Sequence, residues 1–303
     1  MNPLVSVWMV AYNHENFIEQ AIESALMQEC DFNFEIVIGE DCSKDKTREI
    51  IKRYELQYPN IIFPIYHKEN VGATRNAYEF TLPACRGKYI ACLEGDDYWT
   101  VPYKLANQVR FLEENPDFSA SGHQTTVVFE NKIREAYSFG EDLDATFRVG
   151  DMLGHRKFHT ASLVFRSEYL RNIQMLPLTI YSCDRALLAM LSSFGEIMYF
   201  SEPMGVYRRN EKSISNNVQV SDLERDLKML PWLQKVNPKF PIRRLKSFIH
   251  FSGYTYPEKI EFTKLVKHYL LFTINSFSYF PKNMGDIKWG TIFFFKKASK
   301  KQL

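Results

Sequence analysis

The chain has 303 residues, 45% of them apolar, and a formal charge of +2, which suits one large globular domain or a domain with an appendage. So small a charge argues against a partner held by bulk electrostatics, nucleic acid above all. Cys30, Cys42, Cys85, Cys92 and Cys183 are scattered without a CxxC pair, against a zinc cluster or disulfide framework and in keeping with a reducing cytosol.

The first hundred residues alternate strand and helix. A β-rich run, Leu4 to Ala11, starts too near Met1 to be a leader and ends in the turn Tyr12-Asn13-His14. Phe17, Ile18, Ala21, Ile22, Ala25 and Leu26 recur at the helical period. Phe34 to Gly39 is a second strand, followed by a helix over Asp45 to Leu56. Ile61 to Tyr66 is a third, placed near a sheet edge by Pro64. The loop Asn70-Val71-Gly72 leads to a helix over Thr74 to Ala84, and Gly87 opens a fourth strand. This βαβαβαβ order predicts a largely parallel, helix-covered sheet.

Beyond Val101 the pattern changes. A helix over Lys104 to Glu114 precedes strands at Thr125 to Phe129 and Ala161 to Phe165, with a polar loop over Gly140 to Gly150. A helix over Asp184 to Ser193 and strands at Ile197 to Phe200 and Gly205 to Arg208 follow. From Ser215 the chain reads as helical and aromatic. No run reaches the ~18 apolar residues of a membrane span.

The fourth strand, Tyr89-Ile90-Ala91-Cys92-Leu93, ends in Glu94-Gly95-Asp96-Asp97-Tyr98-Trp99. An α/β sheet binds ligands at the carboxyl ends of its strands, and clustered carboxylates there either face water or hold a cation. Oxygen ligands alone suit Mg²⁺ or Mn²⁺. The plainer reading is a solvated Asp/Gly turn, and the letters leave both open.

Other candidates are equally two-sided. Asp41, at the tip of the second strand, suits a ribose hydroxyl or a base N–H, or opens the next helix as a cap. Gly72 and Arg75 suit a nucleotide at a helix start, or form an ordinary turn with a solvated arginine. Asp184 suits a general base, or is an acid favoured by the helix dipole. His159-Thr160 and Arg208-Arg209 suit an acceptor and a diphosphate, or are structural. His155 and His159 have i,i+4 spacing without a helical pattern, which speaks against a zinc pair.

Together these stretches resemble the family 2 inverting glycosyltransferases of the GT-A fold. The likeness covers about residues 3 to 215: Ala11-Tyr12-Asn13-His14-Glu15, then Ile38 to Thr47, then Asn70-Val71-Gly72, then the EGDDYW run of a bacterial subgroup. The resemblance implies an α/β GT-A (nucleotide-diphospho-sugar transferase) fold, a mostly parallel central sheet with helices on both faces, plus a helical C-terminal extension. It divides the chain into a nucleotide-sugar half (1-100), an acceptor and catalytic-base half (101-215) and the extension (216-303).

The roles it implies follow position by position. Asp184 is the catalytic base. Ala11, Tyr12, Asn13, Glu15, Asp41, Asn70, Gly72, Arg75 and Asp96 surround the nucleotide sugar. Asp97 ligates Mn²⁺ or Mg²⁺ with Asp96 and Glu94, the last standing on a longer arm where the commoner motif has Asp. His159, Thr160, Trp99, Arg208 and Arg209 line the acceptor and diphosphate region. Asn210 stands near the position where many relatives carry a metal-binding His, and a neutral amide is a poorer ligand. The implied partners are a nucleotide-diphospho-sugar, a UDP-sugar by preference, and a glycan or lipid-linked glycan acceptor in surface polysaccharide synthesis. A nucleotidyltransferase would need a Gly-rich basic loop after the first strand, and a dehydrogenase a G-x-G-x-x-G; neither is present. A non-catalytic relative is favoured only by the missing His.

At the tail, Phe277, Tyr279, Phe280, Trp289, Phe293, Phe294 and Phe295 alternate with Lys282, Lys288, Lys296, Lys297, Lys300 and Lys301. This suits a peripheral contact with the cytoplasmic membrane face, or a packed helix with a basic end.

Overall fold

Strand β1 (Val5–Ala11) turns Val5, Val7, Met9 and Ala11 to one face, where they pack with Ile18, Ala21, Ile22 and Ala25 of helix α1 (Ile18–Leu26). The computed structural model describes residues 2–130, 134–173, 175–209, 218–257, 259–277 and 284–299. Strand β2 (Phe34–Glu40) adds Ile36 and Ile38 to that core, and α2 (Thr47–Gln57) adds Ile51 and Tyr54. Each aliphatic side chain fully withdrawn from water there contributes roughly 1.5–3 kcal/mol. Strand β3 (Ile62–Tyr66) lies at the edge of the sheet, where Pro64 forfeits least.

Next come α3 (Ala73–Arg75), a π-helical stretch (Asn76–Thr81) and α4 (Leu82–Ala84), and Tyr78 of this run meets Trp8 edge-on at 5.2 Å on the opposite sheet face. Gly39 makes room for that face: a Cβ there would lie 2.0 Å from Thr81 Oγ1 and 2.2 Å from Asn76 Oδ1. The acid-bearing strand is β4 (Tyr89–Cys92), followed by β5 (Tyr98–Trp99) and α5 (Lys104–Glu114). Strands β6 (Phe118–Phe129), β7 (Tyr137–Phe139), β8 (Ala145–Phe147), β9 (Val164–Arg166) and β10 (Glu196–Arg209) complete the sheet. Its order is β3-β2-β1-β4-β9-β6-β10-β5, with β7 beside β6 and β8 beside β10. Strands β1 to β4 pair in parallel and β9 runs antiparallel to β4.

The second half departs from the sequence reading. Strand β6 begins at Phe118, seven residues before the predicted start, because Ser119, Ser121 and His123 are buried there despite their polarity. The predicted loop over Gly140 to Gly150 contains β8. The two strands read at 197–200 and 205–208 are one strand, β10, with register shifts between Phe200 and Gly205. Ala161 lies in a 3₁₀ turn (Thr160–Ser162) and not in a strand.

All ten strands belong to one compact unit, Met1–Val149 with Arg156–Leu178 and Leu191–Asn210. The other unit, Gly150–His155 with Thr179–Met190 and Glu211–Leu303, is helical. Besides α6 (Leu170–Ile173) of the first unit, the remaining helices are α7 (Cys183–Leu191), α8 (Val220–Arg225), α9 (Met229–Val236), α10 (Ile242–Thr255), α11 (Phe262–Ser276) and α12 (Met284–Ser299). The division at 215 groups Thr179–Met190 with the sheet; the compact units group it with the C-terminal helices.

Val220, Tyr254, Ile260, Leu265 and Phe272 form the helical unit's core, against which Tyr269 and Phe294 stack at 4.2 Å. Lys297 donates to the carbonyls of Thr255 (3.2 Å) and Pro257 (2.5 Å), so this lysine serves the fold. Among the described residues no helix is long and apolar enough to cross a membrane.

Candidate active site

Beyond Cys92 the chain still follows β1: Leu93 donates to the Trp8 carbonyl and Gly95 to that of Val10, both at 3.0 Å. A Cβ on Gly95 would stand 2.9 Å from that Val10 oxygen, so glycine allows the close approach. The turn then closes with Asp97 N–H on the Glu94 carbonyl at 3.0 Å. Tyr98 and Trp99 pair with Val206 and Gly205 of β10, which brings Arg208 beside Asp97.

Here three carboxylates are held together. Asp97 is 1% exposed; its Oδ1 accepts the Arg208 main-chain N–H at 2.8 Å, and its Oδ2 is buried with no partner. Glu94 Oε2 is likewise buried and unpartnered. Burial first, and the charge of Asp96 second, push the Glu94 carboxyl up to about 7. Burial again leads, with Asp96 and Glu94 adding to it, in holding Asp97 well above the usual carboxylate range. Two buried oxygens without donors, repelled by a third acid, fit a divalent cation. Among the described residues no group of three or more His, Cys, Asp or Glu side chains is arranged to hold a metal ion by itself.

The nucleotide-side candidates gather at the tips of β1 and β2. Both carboxylate oxygens of Asp41, 2% exposed, accept main-chain N–H groups, Oδ1 from Val71 (2.7 Å) and Oδ2 from Gly72 (3.0 Å). Asn70 Nδ2 donates to the Asp41 carbonyl at 3.0 Å, and the Asp41 N–H to that of Ala11 at 3.0 Å. Asp41 thus clamps the loop before α3 instead of capping α2. At the start of α2, Asp45 Oδ1 accepts the Thr47 N–H at 3.0 Å.

Asn13, with φ of +55°, donates its N–H to Ser43 Oγ and accepts from Lys44 N–H. Glu15 Oε2 accepts the Lys46 N–H at 3.1 Å. Tyr12 is 37% exposed beside them. Arg75 is not gathered in with these groups; its Nε donates to Glu79 at 2.7 Å on an exposed helical face.

The acceptor and diphosphate candidates are more buried than expected. Trp99 is 2% exposed, donates Nε1–H to the Ala161 carbonyl (2.9 Å) and N–H to Ser24 Oγ (3.1 Å), and so belongs to the core. His159, ahead of Thr160, stacks on Tyr207 at 4.0 Å and lies 2.6 Å from Thr125 Oγ1; burial pushes its pKa down to about 3. Arg208 is 7% exposed and Arg209 lies 5.9 Å over Phe129. Asp184 is half-buried at the start of α7 in the helical unit, its Oδ1 accepting the Arg185 N–H at 2.8 Å. Asn210 lies outside the described residues.

Two residues escaped the sequence reading. His14 Nε2 is 4.0 Å from Asp96, with Nδ1 buried and unpartnered. Its place directly after the Tyr12-Asn13 tip was the available signal. Lys104 has no exposed surface and its Nζ, without a hydrogen-bond partner, lies 3.9 Å over the Trp99 ring; burial pushes it down to about 7. Nothing in its helical pattern marks a buried amine.

Residues 6–172 match the family model "Glycosyl transferase family 2". The chain belongs to glycosyl transferase family 2. A 214-residue stretch, 69% of the chain, is 32% identical to the Mycobacterium tuberculosis protein Rv1520 and spans 60% of that relative's length. TuaG of Bacillus subtilis, a glycosyltransferase named for teichuronic acid biosynthesis, is 38% identical over 216 residues, 71% of this chain and 82% of TuaG. The crystal structure of S. aureus TarS 1-349 with UDP-GlcNAc superposes with a TM-score of 0.68 over 96% of this chain and 88% of that one, at 17% identity. The family 2 fold is therefore GT-A throughout the region that carries the acids.

Proposed function

We propose that this protein transfers a sugar from a nucleotide-diphospho-sugar, UDP-linked by preference, to a hydroxyl of a glycan or lipid-linked glycan in bacterial surface polysaccharide synthesis. The observation that carries the proposal is the pair of unpartnered, buried carboxylate oxygens at the tip of β4 in a family 2 chain. The name of TuaG supports the class of product, and the TarS complex supports a UDP-sugar donor.

In this reading Asp97 and Glu94 would hold Mn²⁺ or Mg²⁺ through their unpartnered oxygens, with Asp96 against the ribose and diphosphate. The cation supplies Lewis-acid neutralisation of the charge gathering on the leaving diphosphate. Asp41 and the Asn70–Gly72 loop it clamps border the base and ribose with Tyr12 and Asn13. Asp184 takes the proton of the acceptor hydroxyl as its oxygen attacks the anomeric carbon. The C–O bond to the diphosphate breaks with its electrons on the departing nucleoside diphosphate. A single displacement inverts the anomeric centre. The sequence likeness supports Asp184 in this role. A panel of nucleotide sugars, read by release of nucleoside diphosphate in the presence of Mn²⁺, tests the reading. Release from none of them overturns it.

A peripheral contact with an anionic membrane belongs to the same proposal. On α12, Met284, Trp289, Ile292 and Phe295 are exposed together with Lys288 and Lys296. Each such lysine contributes about 1 kcal/mol near anionic lipid. Phe294 and Lys297 are engaged within the unit, and Tyr279, Phe280, Lys282, Lys300 and Lys301 lie outside the described residues. Combined Trp289→Ser, Ile292→Ser and Phe295→Ser changes should release the protein from anionic liposomes; undiminished sedimentation removes the membrane contact.

A further inference from the structure

Arg208, first read as a diphosphate contact, is committed to the fold on every side. Its main-chain N–H donates to Asp97 Oδ1 at 2.8 Å, and Nη1 donates to the Asp96 carbonyl at 2.7 Å. Nη2 donates to Gln20 Oε1 of α1, and Nε lies 3.0 Å from Glu130 Oε1, just past the end of β6. The guanidinium sits 4.4 Å over the Tyr98 ring and 5.2 Å over that of Phe17. A cation this buried would be costly without such pairing. With it, one side chain braces α1, the end of β6 and the Asp96 carbonyl, while the main chain of the same residue holds Asp97.

We propose that Arg208 is a positioning residue for the divalent cation, fixing the Asp96–Asp97 turn so that Asp97 offers a single oxygen, Oδ2. The inference rests on the cation reading above. Two relationships carry it. The main-chain bond occupies Oδ1, leaving Oδ2 as the oxygen without a partner. The side-chain bond to the Asp96 carbonyl pins the peptide immediately before Asp97, which sets where that carboxylate starts. Ligand oxygens must be held to within about 0.5 Å for tight binding, and the groups behind them do the holding. Gln20 and Glu130 hold the guanidinium in turn.

The test is Mn²⁺ titration of the full-length, donor-free protein, with free Mn²⁺ read by electron paramagnetic resonance beside thermal unfolding in chelator. In Arg208→Lys the main-chain bond survives while the fork to Asp96, Gln20 and Glu130 is lost. The dissociation constant for Mn²⁺ should rise roughly 10- to 100-fold. Gln20→Leu keeps the arginine but frees one arm, and should weaken Mn²⁺ binding in the same direction by less. In turnover assays the Mn²⁺ concentration giving half-maximal rate should rise while the rate at saturating Mn²⁺ falls little. A merely structural brace would lower the melting temperature and leave Mn²⁺ affinity in place, and folded variants with wild-type affinity overturn the proposal. Should Arg208→Lys not fold, Gln20→Leu decides by the same criterion. A wild-type protein that binds no Mn²⁺ overturns the cation reading itself, and the brace with it.

Discussion

Gly72 donates its N–H to Asp41 Oδ2 across 3.0 Å from a backbone held at φ +88° and ψ 148°. That conformation is open to glycine and strained for other residues, although nothing lies within 4 Å of where a Cβ would stand. Gly72→Ala should therefore cost about 1–3 kcal/mol through the backbone alone. Asp41→Asn replaces one accepting oxygen by a donor amide facing an N–H, and should cost about 2 kcal/mol. Urea unfolding measures both. If the loop borders the donor, each variant should also raise the donor KM more than it lowers kcat.

Gly39→Ala makes the opposite comparison. The backbone there tolerates a side chain, but the new methyl would fall on Thr81 Oγ1 and Asn76 Oδ1. Overpacking of this kind typically costs about 1–3 kcal/mol. The loss should appear in thermal unfolding, and a compensating Thr81→Ala should recover part of it.

Asp97→Asn removes one of the two carboxylates that carry a buried, unpartnered oxygen. Transfer should fall to background, and Mn²⁺ should no longer raise the melting temperature. For the wild type, cation at 100 times its dissociation constant adds about 2.7 kcal/mol of stability. Chelator should abolish wild-type transfer and added Mn²⁺ or Mg²⁺ restore it; activity undiminished in chelator would contradict the cation's role.

Asp184→Asn should keep the donor affinity of the wild type and lose turnover by ~10²–10⁴-fold, the usual worth of a general base. Donor binding followed by calorimetry, beside steady-state rates, separates the two. Normal rates in this variant would remove Asp184 from the reaction.

Lys104 gives a pH signature. Burial holds its ammonium down at about 7, against an ordinary 10.5 that returns on unfolding. Below about 7 both states carry the proton and above 10.5 neither does. Between these limits the unfolded chain binds more protons, so this group's contribution makes stability climb with pH, and it is lost as pH falls through about 7. The slope is on the order of 1.4 kcal/mol per pH unit at its steepest. Lys104→Met should flatten the rise in melting temperature between pH 7 and 10; an unchanged slope would place the titration elsewhere.

Strands β1 to β4 and their helices were legible because each carries a run or a period of its own: Val5 to Ala11 alternates inward, and Ile18 to Ala25 repeats every turn. Strand β6 hid its first half because Ser119, Ser121 and His123 are buried without being apolar, and only the sheet around them makes that tolerable. The acid run was legible as a composition, but which oxygens lack donors was not, since that depends on where Arg208 arrives, more than a hundred residues later. Trp99 misled for a similar reason: an aromatic beside a motif looks like a platform for ligand until its indole N–H is seen to be spent on Ala161.

That indole has a wider effect. With its indole N–H on the Ala161 carbonyl and its main-chain N–H on Ser24 Oγ, Trp99 anchors the C-terminal side of the acid-bearing turn. The seat is thus assembled before any guest arrives, and the expense of crowding its charges was met when the polypeptide folded. On the proposed cation reading, binding there would need little rearrangement of this turn.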